Sequence, residues 1–124
     1  MAAVPLPGDN PTASEPVACS LGRADLADQA RRWTRLAARA MTGRQQTADG
    51  VRVGFRPGPG TEEELRALVA VETRCCPWAA WTVHADATEL VLDVRSANEG
   101  IAALHVMFTD LRPAPVPRHA GRPR

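Results

Sequence analysis

Lysine and tyrosine are absent from this chain of 124 residues, and all 15 of its basic residues are arginine. The arginines are nearly balanced by 14 acidic residues, for a formal net charge of +1, so no global field draws the protein to nucleic acid or to a membrane surface. Aromatic residues are scarce, three Trp and two Phe, and they are not interleaved with the arginines as in RNA-binding sheets. No apolar run approaches the ~20 residues that a membrane helix needs. The opening MAAVPLPGDN has no basic start and no signal-like apolar run, so a cytoplasmic protein is expected. Cysteine is limited to three residues, an odd number that suits a reducing compartment better than a disulfide framework. No C-x-x-C is present, which excludes zinc-ribbon and heme-attachment spacings. No G-x-G-x-x-G, P-loop, H-E-x-x-H, G-x-S-x-G or EF-hand pattern occurs either.

What is present divides into three parts. Residues 1–15 are rich in Pro, Ala and Gly and read as a disordered lead. Residues 112–124 form a Pro-rich tail with Arg112, Arg118, Arg122 and Arg124, read as solvated. Residues 16–111 carry the periodicity of a single domain. PVACSL (16–21) reads as a short strand. Residues 24–42 place Leu26, Ala30, Trp33, Leu36, Ala37, Ala40 and Met41 at helical spacing. VRVGFR (51–56) alternates, with Val51, Val53 and Phe55 on one face and Arg52 and Arg56 on the other. Thr61 with Glu64 predicts a capping box for a second helix, carrying Leu65, Leu68, Val69, Glu72 and Cys76 on one stripe. Pro77 disfavours helical geometry at the residue before it, so that helix ends near Cys76. WAAWTVHA (78–85) and ELVLDV (89–94) predict an antiparallel hairpin. Ser96 and Glu99 suggest another capping box, for a last helix with Ile101, Leu104, Phe108 and Leu111 on its face.

The expected fold is α+β, an α/β sandwich with one four-stranded mixed sheet and about three helices in the order β-α-β-α-β-β-α. That order matches a thioredoxin-like core, in which the reactive cysteine follows the first strand and a proline precedes the third. Cys19 and Pro77 take those places here.

The stretch ETRCCPWAAW (72–81) carries the chemistry. Glu72 sits on an apolar stripe, where a carboxylate must be paired, protonated, ligated or at the rim of the core. Cys75 and Cys76 follow within one turn. A disulfide between adjacent residues would need a strained ring. The helix C-terminus disfavours a bare thiolate, and Arg74 offsets this only if it turns inward. A soft cation, by contrast, deprotonates thiols outright. Cys19 precedes a helix start, where a thiol is activated. Convergence of Cys19 with Cys75 and Cys76 would suit Zn(II), Cu(I), Hg(II) or As(III), with Glu72 or His84 as a further ligand. Trp78 and Trp81 could wall a pocket for a bound small molecule, although core packing also explains them. Free cysteine is itself a common core residue, and an interaction domain whose thiols only pack stays open.

ACSL (18–21), ADLADQARRW (24–33), ETRCCPWAAWTV (72–83) and ELVLDV (89–94) together resemble a group of small actinobacterial proteins. That group has an early A-C-x-L and an E-x-[RE]-C-C-[PA]-[FW] motif. The resemblance spans about residues 17–110 and implies Cys19, Glu72, Cys75, Cys76 and Pro77 as shared site positions. It implies no reaction. The leading expectation is a small thiolate protein that binds a soft metal or metalloid ion, Zn or Cu first. The alternative is a thiol- or metal-dependent enzyme acting on a small molecule, with Glu72 as acid/base and Cys19 as a reactive thiol. No nucleic-acid or membrane partner is expected.

Overall fold

A computed structural model describes residues 22–113. The expected strand at 16–21, with Cys19, and most of the arginine tail lie outside the described residues.

The first helix, α1 (Arg23–Ala40), is rich in alanine and arginine, both strong helix formers. Its buried stripe is Gln29, Trp33, Leu36, Ala37 and Ala40. The expected helix ran on to 42, but the backbone turns extended at Met41 (φ −66°, ψ 132°) and enters β1 (Met41–Thr47) directly. This strand was not expected. Its sequence, MTGRQQT, has no apolar alternation, because it lies at a sheet edge and only Met41 is buried. Ala48 and Asp49 turn the chain into β2 (Gly50–Phe55), where Val51, Val53 and Phe55 are buried and Arg52 is exposed. Gly50 is required at that corner, since a Cβ there would lie 1.8 Å from the Val94 carbonyl oxygen.

The second helix, α2 (Thr61–Cys75), starts after Gly60, whose φ of 73° suits glycine. The expected Thr61–Glu64 capping box does not form: the N-cap is Gly60, with no side-chain cap bond. Glu64 is drawn instead to Arg32, which donates to it from Nε (3.1 Å) and Nη2 (3.0 Å). Strands β3 (Ala80–Ala85) and β4 (Leu90–Arg95) form the expected hairpin. Asp86 Oδ1 fixes its turn by accepting from the Thr88 and Glu89 backbone N–H groups and from the Thr88 hydroxyl. The last helix, α3 (Glu99–Met107), has Asn98 as its N-cap, again without a side-chain cap bond. Ser96 is engaged elsewhere, donating to the Trp78 carbonyl at 2.8 Å.

The sheet order is β1-β2-β4-β3, and every pairing among the described strands is antiparallel. This corrects the expected mixed sheet. The four strands are reached differently too: β1 follows α1, where the expected order took 16–21, ahead of that helix, as its first strand. The thioredoxin-like arrangement rested on that outlying segment and on a parallel pairing that the described strands do not make. The α+β class itself holds. Register places Phe55 with Leu90, and Val53, Leu92 and Val83 side by side, on one face. That face forms a single core with Trp33, Leu65, Leu68 and Leu104 from the three helices. Each such burial contributes roughly 1.5–3 kcal/mol. The opposite face carries Arg52, Asp93, Thr82 and His84. No helix among the described residues is long and apolar enough to cross a membrane.

Candidate metal centre

The C-terminal turn of α2 carries both cysteines and a carboxylate into the core. Glu72 is 4% exposed, Cys75 3% and Cys76 2%. Cys75 is the last helical residue and lies on the buried side with Glu72, three residues before it. Cys76 leaves the helix at φ −127° and ψ 66°, as expected from Pro77, while its N–H still donates to the Glu72 carbonyl at 2.7 Å. The departure turns its side chain back toward the same point. The two sulfurs are 4.0 Å apart, which excludes a bond between them, and Cys76 Sγ donates to Glu72 Oε1 at 3.5 Å. One ligand atom from each of the three residues lies within 4.8 Å of the others.

The other carboxylate oxygen is held from α1. Glu72 Oε2 accepts from Trp33 Nε1 at 2.8 Å and from Gln29 Nε2 at 3.0 Å. Gln29 Nε2 also donates to the Leu68 carbonyl at 3.1 Å, which fixes the amide between two acceptors. Glu72 makes no ion pair among the described residues. A buried carboxylate is thus held at Oε2 by two neutral donors and at Oε1 by the Cys76 thiol. Arg74, two residues after Glu72 and one before the last helical residue Cys75, is exposed and does not turn inward.

A cavity of about 730 Å³ reaches this group. Glu72, Cys76 and Gln29 lie at its buried end, and Trp33, Trp78 and Phe108 contribute to its walls. Cys75 does not line it. The mouth includes Leu26 (42% exposed), Val106 (71%) and Met107 (39%), the large hydrophobics left exposed among the described residues. Trp33 packs edge-on against Phe108, with ring centroids 5.8 Å apart. Trp78 is anchored through its carbonyl by Ser96 and by ring contact with the start of α3, where a Cβ on Gly100 would lie 3.3 Å from Trp78 Cε3.

The structure therefore brings together Glu72, Cys75, Cys76 and Trp78. It sets two other candidates apart. His84 is exposed on β3, beside Arg52 and Glu89 in a shallow depression on the opposite face of the sheet, so it does not join the sulfurs. The strand alternation puts Trp81 and Val83 on the core side and His84 on the other. Trp81 does not line the cavity. It packs against Phe108 at 6.2 Å, with its indole N–H buried and without a hydrogen-bond partner. Cys19 lies outside the described residues. Gln29 and Trp33 were not expected at the site as partners of Glu72. A polar Gln29 one turn before Trp33 carries the same signal as Glu72 on its own stripe.

Comparison of the chain with protein-family models, with curated proteins and with solved structures returned no match.

Proposed function

We propose that the protein binds a soft metal or metalloid ion through Cys75, Cys76 and Glu72. The observation that carries this reading is the convergence of two sulfurs and a carboxylate oxygen within 4.8 Å in a buried site. A tetrahedral zinc with bonds of about 2.3 Å to sulfur and about 2.1 Å to oxygen separates two sulfurs by about 3.8 Å, and a sulfur from an oxygen by about 3.6 Å. The Cys75–Cys76 and Cys76–Glu72 distances here are 4.0 Å and 3.5 Å, and the Cys75–Glu72 pair lies within 4.8 Å. Gln29 and Trp33 supply the outer hydrogen bonds that orient a ligating carboxylate. A cation is also favoured at the negative C-terminal end of α2, where a bare thiolate is not. Zn(II), Cu(I), Hg(II) and As(III) all suit such ligands.

Cys19, outside the described residues, is included in the proposed set as a third thiolate on the strength of the sequence pattern. The E-x-[RE]-C-C-[PA]-[FW] signature then becomes a metal-site motif, working in the reducing cytoplasm. A second reading is catalysis on a small molecule, with Glu72 as acid or base. The cavity favours it by giving access to Glu72 and Cys76 together.

The test is metal content and thiol titration of protein purified without chelator or affinity tag, followed by calorimetric titration of the reduced protein. One equivalent of a soft ion is expected, lost in the Cys75→Ser, Cys76→Ser double variant. Failure to bind Zn(II), Cu(I), Hg(II) or As(III) would overturn the reading.

A further inference from the structure

The cavity is far larger than a bare ion needs, and its walls are mostly apolar, with Gln29, Thr34, Glu72 and Asp110 as the polar exceptions. We infer that the site takes its ion with a carbon substituent attached, as a mono-organo arsenic(III) species bearing an aryl group. This inference rests on the proposed soft-ion site and names its ligand class.

The geometry that carries it is the relation of the two sulfurs to the cavity. Cys75 and Cys76 are 4.0 Å apart, a span that one trivalent pyramidal atom closes with small adjustment. Cys76 lines the cavity and Cys75 does not, so an atom bridging both sulfurs sits at the cavity's inner end. Its third substituent then has the cavity before it. Trp33, Trp78 and Phe108 offer ring surfaces there, and Ala103 and Val106 extend the apolar lining toward the mouth. Inorganic arsenite would instead offer a hydroxyl there and leave the apolar part of the lining without a partner.

The binding step is a condensation without redox change. An arsonous acid, R–As(OH)2, meets two thiols. Two As–S bonds form and two As–O bonds break. Each hydroxide leaves as water with one thiol proton, and arsenic stays trivalent with its carbon bond intact. Glu72 is a positioning residue for this step, since its Oε1 accepts from Cys76 Sγ while Gln29 and Trp33 hold Oε2.

The experiment compares phenylarsonous acid with methylarsonous acid on the reduced full chain, by competition against a small dithiol. Both need two thiols, and they differ only in the group offered to the cavity. A phenyl ring buries on the order of 60 Å² more apolar surface than a methyl, which corresponds to roughly tenfold tighter binding or more. Ala103→Phe fills the cavity, and Val106→Asp places a charge at its mouth on a side chain that is 71% exposed and carries little of the fold. Each is expected to bring the phenyl-to-methyl ratio down to within about threefold. Reading a ratio cancels any general loss of thiol reactivity. Equal affinities in the wild type, or a phenyl preference unchanged in both variants, would overturn the inference while leaving the soft-ion site standing. Failure of both arsenicals together with Zn(II) and Hg(II) would instead remove the parent reading.

Discussion

Helix α2 carries two carboxylates that both reach across to α1, and they are treated in opposite ways. Glu64, in the first turn, meets Arg32 in a two-pronged ion pair, with about a third of each side chain open to solvent. Glu72, two turns on, is buried and meets neutral donors, Gln29 and Trp33 from the first helix and the Cys76 thiol from its own. The first arrangement is complete, because the charge has its counter-charge and water. The second is complete in hydrogen bonds on one edge and lacks a counter-charge among the described residues. A buried carboxylate in that state is costly unless a cation or a proton joins it. The two thiols lie at its other edge, where the Cys76 thiol donates to Oε1. The two ends of one helix thus separate an ion-paired clamp between helices from a buried carboxylate held by neutral donors beside two thiols.

The comparison can be broken most severely at neighbouring positions of α1. Trp33→Ala removes a 6%-exposed indole and one of the two donors to Glu72. It is expected to cost about 3–5 kcal/mol in denaturant unfolding. Arg32→Ala, one residue earlier, removes the partner of Glu64 and is expected to cost less than about 1 kcal/mol. Similar costs for the two would show that the buried carboxylate is no more tightly tied to the fold than the surface one.

A finer cut keeps the packing and removes only the donors. Trp33→Phe or Gln29→Leu leaves Glu72 Oε2 with one partner. Each is expected to destabilise the metal-free protein by about 1–3 kcal/mol. Each is also expected to weaken binding of the soft ion by roughly 10–100-fold, since these groups orient a ligand. Stability and affinity are measured separately, by denaturation and by calorimetric titration. A variant that loses stability yet binds the ion as tightly as wild type would make Glu72 a core residue rather than a ligand.

The legible parts of the molecule were those in which one periodicity acts alone. Alternation located β2 and β4, and Pro77 located the end of α2 with its turn of cysteines. Glu72 could be read because a carboxylate on an apolar stripe demands a reason. The rest was hidden by tertiary contacts. Strand β1 carries no alternation, since an edge strand buries almost nothing and is held by backbone bonds to β2. Both capping boxes failed because their side chains had better partners elsewhere: Glu64 in Arg32, and Ser96 in the Trp78 carbonyl. On α1, Leu26 and Ala30 looked like core and instead line the cavity, while Gln29 took the buried place. A helix that borders a cavity shows an apolar stripe wider than the one it buries. His84 was a candidate by residue type alone, and the sheet stands between it and the sulfurs.

The smallest effect sharpens the contrast from the other side. Hydrogen bonding to Arg32 holds the Glu64 carboxyl below its ordinary value of 4.5, against an opposing push from partial burial. A carboxyl with a depressed folded pKa contributes stability that is fully present above the unfolded value. That stability is lost as pH falls through the folded one. Glu64→Gln is therefore expected to cost a few tenths to about 1 kcal/mol at neutral pH, less at high ionic strength. The gap between wild type and variant should stay flat from neutral pH down to about 4.5 and shrink below it. Chemical denaturation across that acid range reads the gap directly. A gap that persists undiminished at low pH would mean that the pair acts by packing and neutral hydrogen bonds. Glu64 would then resemble Glu72 more closely than its exposure and its arginine imply, and the division of α2 into an ion-paired end and a buried end held by neutral donors would lose its electrostatic basis.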